Sequence, residues 1–340
     1  MSYMFFYGMY FGVFVATFLL TAYMRHYALK KNIIDRPNER SSHSIPTPRG
    51  GGVAVVISYL IALSVLMVYG FFPLQSGLTL IGAGFAVALL GFLDDHGHIN
   101  SLVRLAIHFL IAIGVVLSLG GFAEIVAFNG LELGFFTNII AVLFLVWLLN
   151  LYNFMDGING IASVEAITTT LSIAIIYLIT AQNLHAQVLF LLAASVFGFL
   201  LWNFPKARIF MGDACSGFLG LILGILALIA LKVDLSLFCA WLICLGVFIV
   251  DATFTLIRRV LNGHKMYDAH RSHTYQIASR RFKSHTLVTM SVVVLNVIWL
   301  FPIAYLVAIK NYTYPELGVL VAYLPLVVLA VIFRAGNAHA

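Results

Sequence analysis

The chain has 340 residues, of which 62% are hydrophobic and only 9% charged, whereas soluble globular chains carry about 25% charged residues. That much apolar surface has nowhere to hide in water, so the composition excludes a soluble enzyme or binding module and marks an integral membrane protein. The net charge of +6, from 19 Lys and Arg against 13 Asp and Glu, does not signal nucleic acid, because the basic residues lie between apolar runs rather than along one polar face.

Runs of about 17–25 apolar residues are long enough to cross a bilayer as helices. In chain order they fall at 3–24, 52–70, 78–93, 104–120, 138–152, 160–181, 185–203, 214–231, 236–257, 286–308 and 316–333. This predicts an all-α polytopic membrane protein with eleven transmembrane helices in a single domain, 1–340. The first run has no charged leader and no small-residue cleavage site, and is expected to be a retained span. Eleven spans put the termini on opposite faces. One set of loops holds all the Lys and Arg except Lys232 and Lys310, and the positive-inside rule makes that set cytoplasmic, with the N-terminus outside and the C-terminus cytoplasmic. In the longest outer loop, Asn129-Gly130 separates two alternating runs. This predicts a short extracytoplasmic β-hairpin over 124–135 with a type I′ turn and with Glu124 and Glu132 in solvent. Cys215, Cys239 and Cys244 sit in apolar runs without metal-ligand spacing and read as small core residues.

Polar residues gather in the predicted cytoplasmic loops. The first, 35–52, holds three prolines and ends in Gly50-Gly51-Gly52; it is either a basic anchor on anionic lipid or a loop whose amides approach an anion. Asp94 and Asp95 close the third span. Adjacent carboxylates repel, which favours a nearby cation or proton, although a solvated helix end explains the pair equally simply. Side chains of neighbours on a helix point about 100° apart, so the two are not expected to share one role.

Asn153, Asp156 and Asn159 are spaced by three, along one side of a helical segment, with Gly157 and Gly160 between and after them. Three polar side chains between two spans, with no Lys or Arg close in sequence, favour a polar-ligand site. Asp213, at the start of the eighth span, is either an N-cap or a hard-cation ligand, and Lys206 and Arg208 just before it add charge that attracts phosphate. In the last long cytoplasmic loop, His270, Arg271 and His273 form a cluster better suited to a pyrophosphate than to zinc. Glu165 and Asp251 lie within spans and are expected to pair with a His or Arg from a loop. Asp251, about two helical turns before Arg258, is the better placed.

Taken together and in this order, PTPRGGG (46–52), LDD (93–95), NFMDGING (153–160), FMGDACSG (210–217) and DAHRSHTYQ (268–276) resemble the polyprenyl-phosphate N-acetylhexosamine-1-phosphate transferases, glycosyltransferase family 4. The resemblance covers residues 1–335. RSSHSIPTPRGGG and DAHRSHTYQ look most like the bacterial branch that initiates O-antigen or related surface polysaccharides. The peptidoglycan cousin usually carries a lysine ahead of the TPT-type loop and a His-rich last loop, and this chain departs from both patterns.

The resemblance implies transfer of N-acetylhexosamine-1-phosphate from a UDP-N-acetylhexosamine to undecaprenyl (polyprenyl) phosphate, releasing UMP, at the cytoplasmic face of the bacterial inner membrane. It implies Mg2+ as the ion, with Mn2+ as a substitute. It makes Asp213, Asp94 and Asp95 catalytic, with Asp213 and Asp94 toward the metal, and puts Asn153, Asp156 and Asn159 on the nucleotide-sugar side. His270, Arg271 and His273 would clamp the diphosphate, and Thr47, Lys206, Arg208 and Phe210 would add substrate contacts. Because a phosphate monoester is largely ionised at pH 7, direct attack by the lipid phosphate is favoured over an aspartyl-phosphate intermediate. A homodimer is compatible with the apolar outer faces. The alternative from another class is a proton-coupled transporter or lipid-sugar flippase, which would carry coupling residues near the bilayer midplane and repeated halves.

Overall fold

The computed structural model describes residues 3–37, 42, 45–97, 99–122, 126–127, 131–132, 134–264, 271–310 and 312–337. Its helices are α1 (Tyr3–Lys30), α2 (Val53–Val68), α3 (Leu74–Gly97), α4 (Ser101–Ser118), α5 (Phe136–Met155), α6 (Ile161–Ile179), α7 (Asn183–Asn203) and α8 (Asp213–Val233). They continue with α9 (Leu235–Cys244), α10 (Gly246–Leu261), α11 (Thr274–Phe282), α12 (His285–Val294), a π-turn (Leu295–Leu300), α13 (Phe301–Ile309) and α14 (Pro315–Ile332). Among the described residues nine helices are long and apolar enough to cross a membrane alone, counting 285–309 as one. The α9–α10 pair adds a tenth, and the shorter apolar α2 completes the eleven expected elements.

The centre of the bundle is α8. Every residue from Ala214 to Ala230 is buried, as expected of a helix that is apolar all round. Among lipid tails no hydrophobic gradient drives helices together, so close backbone packing must supply the attraction. Glycines make this possible: a Cβ on Gly220 would lie 2.5 Å from the Leu148 carbonyl oxygen of α5, and one on Gly91 of α3 would lie 2.5 Å from the Asp213 carbonyl oxygen. Thus α3 and α5 close on α8 from two sides and bring the end of α3 against the start of α8.

Two expectations change. The ninth span is not one straight helix but is bent by 71° between α9 and α10. Leu245 leaves helical geometry there, and Gly246 begins α10 against the ring of Tyr323, where a Cβ would lie only 3.0 Å away. Beyond the bend, α10 buries Asp251, Thr255 and Arg259 on one side and exposes Ile257, Val260 and Leu261 on the other. The hydropathy of the run hid this break because Leu245-Gly246 is itself apolar. The hairpin is present as β3 (Val126–Ala127) paired antiparallel with β4 (Leu131–Glu132). Ala127 opposite Leu131 leaves three residues in the loop, one more than a two-residue type I′ turn. Asn129-Gly130 and Glu124 lie outside the described residues. The three cysteines are free and buried, as expected.

The first polar loop contributes a second ribbon, in which Ile34–Asp35 pairs antiparallel with Thr47–Pro48. Its continuation is stitched to the approach to α8: Phe210 N donates to Pro48 O at 2.8 Å, and Gly51 N and Gly52 N donate to Phe210 O and Met211 O at 2.9 Å each. The amides of Gly51 and Gly52 are therefore spent on carbonyls and are not turned to an anion. This stitching hangs Arg49 over the start of α8.

Overpacking a tight contact costs about 1–3 kcal/mol. Gly220→Ala is expected to lower the thermal unfolding midpoint in detergent, whereas Gly12→Ala, which has no atom within 4 Å of the new Cβ, is expected to leave it unchanged.

Candidate active site

Asp94 and Asp95 end α3 and part as neighbours on a helix must. Asp94 turns to α4, accepts from Ile99 N at 2.7 Å and pairs with Arg104 Nη1. Asp95 turns to α8, accepts from Asp213 N at 3.2 Å and pairs with Arg49 Nη2 at 2.5 Å. Between them stands Asp213, the first residue of α8, whose Oδ1 is 2.7 Å from Arg49 Nη2 and whose Oδ2 is 3.3 Å from Arg104 Nη1. Carboxylates and guanidiniums therefore alternate from Asp94 through Arg104, Asp213 and Arg49 to Asp95. Gly212, at φ 83°, makes the turn into α8; a Cβ there would lie 2.6 Å from Asp95 Oδ2.

A cavity of about 380 Å³ opens beside this row and is lined by Arg49, Phe210, Asp213 and Ser216. Asn153, Asp156 and Asn159 line it too, as do Gln276 and His285. The three are not strung along a helix: α5 stops at Met155, so Asn153 lies on its last turn while Asp156 and Asn159 lie on the link to α6. That link is held from outside. Gly160 N donates to Asn203 Oδ1 at 2.7 Å, Asn203 Nδ2 donates to Ile209 O at 2.9 Å, and Asn159 Nδ2 donates to Pro205 O at 3.1 Å. Tyr275 OH donates to Phe154 O at 2.9 Å and fills the space that a side chain at Gly157 would need. Asp156 is enclosed by protein except toward the cavity. Burial, then the neighbouring Asp213, push its carboxyl up to about 8; Arg49 pulls it down and Asp95 adds to the rise.

A second cavity of about 600 Å³, between the ends of α1 and α3, is lined by Tyr27, Lys31, Asp35, Arg49, Asp95 and His96 among others. Arg49 and Asp35 line both cavities.

Of the residues singled out in the sequence, Asn153, Asp156, Asn159, Phe210 and Asp213 line the first cavity, and Asp95 reaches the second. Asp94 lines neither; it holds Arg104. Thr47 is buried and its hydroxyl donates to Ile45 O at 2.9 Å. Lys206 and Arg208 are exposed outside the cavity, with Arg208 5.7 Å over the Trp202 ring. Arg271 is also exposed outside it, and its carbonyl accepts from Arg280 Nη1 at 2.9 Å.

His270 lies outside the described residues. His273 is not part of a clamp around the cavity: it is buried, with Nδ1 3.5 Å from Asp251 Oδ1. Asp251 also accepts from Thr274 N at 2.8 Å, Tyr275 N at 3.0 Å and Thr255 Oγ1 at 3.2 Å. This carboxylate of α10 thus caps the start of α11, and α11 delivers Gln276 to the cavity. Asp251 does pair with a loop histidine, as expected, whereas Glu165 accepts from Asn296 Nδ2 at 2.7 Å instead.

Sequence reasoning missed Arg49, Arg104, Gln276, His285 and Asn203. Arg49 lies in PTPRGGG and Gln276 in DAHRSHTYQ, but nothing in either motif marks them as the members that reach the cavity; Arg104, at the start of an apolar span ten residues after Asp94, is a usable signal. His285 and Asn203 carry none.

The glycosyl transferase family 4 model matches residues 77–231, a stretch that contains Asp94, Asp95, Arg104, the 153–160 link and Asp213. A Bacillus subtilis (strain 168) protein named probable undecaprenyl-phosphate N-acetylglucosaminyl 1-phosphate transferase is 32% identical over 286 residues, covering 82% of this chain and 78% of its own. The chain belongs to the polyprenyl-phosphate N-acetylhexosamine-1-phosphate transferases of glycosyltransferase family 4. Within this transferase family it is also similar to a Thermotoga maritima undecaprenyl-phosphate alpha-N-acetylglucosaminyl 1-phosphate transferase, at 27% identity over 78% of this chain and 80% of that one. A phospho-N-acetylmuramoyl-pentapeptide-transferase of Desulforamulus reducens is 31% identical over 52% of this chain and 58% of its own. A second member of that branch, from Clostridium botulinum (strain Alaska E43 / Type E3), is 28% identical over 62% of this chain and 67% of its own.

Removing one member of a buried ionic network costs about 3–5 kcal/mol. Asp251→Ala is expected to speed hydrogen exchange of the amides of α11 by several orders of magnitude and to leave the protected amides of α8 unchanged.

Proposed function

We propose that the protein transfers N-acetylglucosamine-1-phosphate from its UDP-sugar to undecaprenyl phosphate, releasing UMP, as the first membrane step of a surface polysaccharide such as O-antigen. The observation that carries this reading is the row of carboxylates and arginines opening onto a cavity walled by Asn153, Asp156 and Asp213. The names of relatives that match most of the chain point to N-acetylglucosamine. Loop charge makes the face that carries the row the cytoplasmic one, where nucleotide sugars are available.

The site suits a Mg2+ ion. With Asp156 ionised, four carboxylates face two guanidiniums, a deficit of two positive charges. Asp95 Oδ2 is buried without a hydrogen-bond partner, which is costly unless a cation or proton approaches. Among the described residues no three His, Cys, Asp or Glu side chains converge as a ready-made cage. That agrees with an ion that takes only one or two carboxylates and completes its shell with water and substrate phosphate. Asp213 would hold it, with Asp156 or Asp95 as a second ligand. When bound, it would neutralise the diphosphate and polarise its phosphorus–oxygen bonds.

The chain's own residues do the rest. Asn153, Asn159 and Gln276 offer neutral amides that can orient a nucleotide sugar without competing for the ion. An oxygen of the lipid phosphate attacks the sugar-linked phosphorus, the bond to the bridging oxygen of UMP breaks, and UMP leaves with the electron pair. An aspartyl-phosphate route needs a carboxylate free to reach that phosphorus. Asp94 and Asp95 are 8% and 2% exposed, are held by arginines, and line no part of this cavity. That geometry disfavours this pair as the nucleophile and so supports direct attack over an intermediate on Asp94 or Asp95.

Purified protein in detergent, given undecaprenyl phosphate, Mg2+ and UDP-N-acetylglucosamine, is expected to release UMP, with less or none from other UDP-N-acetylhexosamines. Asp213→Asn should lower the rate by about 100-fold or more with the fold intact. Release of UMP without lipid, together with a labelled protein, would disprove direct attack. Since the neutral carboxyl of Asp156 is favoured below about 8, cation binding must displace its proton. The apparent Mg2+ affinity should then rise by up to about tenfold per pH unit as pH climbs toward 8 and flatten above it. Asp156→Asn should abolish that slope.

A further inference from the structure

We propose that Arg49 is handed from the carboxylates to a substrate phosphate when a divalent cation binds, so that it couples the two binding events. The proposal rests on the functional reading above.

A single guanidinium nitrogen, Nη2, serves Asp95 at 2.5 Å and Asp213 at 2.7 Å. These are oxygens on which a cation would sit, and a cation there repels the guanidinium. The two arginines of the row differ in what they can do next. Arg104 is engaged with Asp94 and lines neither cavity. Arg49, about as exposed as Arg104, lines both cavities. It can therefore leave Asp213 without leaving the site.

The backbone that carries it stays where it is, because Pro48, Gly51 and Gly52 are hydrogen-bonded to Phe210 and Met211. Only the side chain has to turn. Once turned, its planar fork offers paired donors to phosphate oxygens. Asp95, whose Oδ2 has no partner and whose side chain is 2% exposed, is left facing the cation in its place.

Two binding measurements on the full-length protein in detergent test this without turnover: Mn2+ binding followed by the loss of its free electron-paramagnetic-resonance signal, and calorimetric titration with UDP or with a short-chain polyprenyl phosphate, each with and without Mg2+. Arg49→Gln is expected to bind Mn2+ about five-fold or more tighter than wild type. It should weaken phosphate binding about ten-fold when Mg2+ is present and hardly at all when it is not. A cation-dependent loss seen with UDP assigns the donor diphosphate as the receiver, and one seen with polyprenyl phosphate assigns the acceptor; either supports the handover.

Arg104→Gln should also tighten Mn2+ but leave UDP binding with Mg2+ at the wild-type level. Arg49→Lys, which keeps the charge and loses the fork, serves if the Gln variant does not fold. It should keep wild-type Mn2+ affinity and lose phosphate affinity only with Mg2+. Equal losses with and without Mg2+ would make Arg49 a permanent phosphate ligand and overturn the handover, as would unchanged Mn2+ affinity in Arg49→Gln. Wild-type protein that bound neither Mn2+ nor UDP would remove the functional reading itself.

Discussion

The structure turns on one constraint: Asp213 begins a helix that is buried from Ala214 to Ala230, so its charge must be balanced within the site. An isolated buried ion is penalised by several kcal/mol even after the protein relaxes. Two guanidiniums from different parts of the chain answer it, one on each carboxylate oxygen. Each brings a further carboxylate with it, Asp95 or Asp94, so balance is approached but not reached. The residual negative charge cannot be packed away, because Gly91 and Gly212 leave no volume for another side chain between α3 and α8. A further protein group cannot enter there.

The remainder of the bundle follows from keeping that row in place. Close contacts at Gly91 and Gly220 fix α3 and α5 to α8, so Asp95, Asp213 and the 153–160 link share one rigid frame. The opposite wall of the cavity comes from the other part of the chain and is held differently. The bend at Leu245 turns α10 so that Asp251 meets the first amides of α11, and Tyr275 then ties α11 to the end of α5. A straight ninth span would give Asp251 no such partner. The break is thus the means by which a polar cap is built at the edge of a membrane.

Hydropathy made most of the helices legible, because about twenty apolar residues in a row have few other uses. The carboxylates were legible for a related reason: Asp94, Asp95, Asp156 and Asp213 are rare in so apolar a chain, and their placement at one end of the spans was already informative. The bend at Leu245 was illegible because an apolar run carries no mark of where its direction changes. The destination of His273 was illegible too. A histidine beside an arginine in a basic loop reads as an anion ligand until Asp251, more than twenty residues earlier, is seen beneath it. Arginines mislead in another way. In a membrane protein their count reports topology, and that explanation satisfied Arg49 and Arg104 before their partners were visible.

The segment that matches the family model, 77–231, contains the carboxylates, Arg104 and the amide-bearing link, whereas Arg49, Gln276 and His285 lie outside it. This division has a physical sense. Charge balance around Asp213 is a problem of the buried interior, and the frame of α3, α5 and α8 carries the carboxylates that pose it. The groups that face the frame across the cavity sit on a ribbon and on short helices, elements that can shift or change residue without disturbing α8. Gln276 is set by the cap on α11, and His285 Nε2 donates to Ser42 O across to the first loop. The two flanking regions therefore close the cavity together. Contacts that read a ligand's shape need reach and adjustability rather than charge, and a wall built from a ribbon and short helices has both.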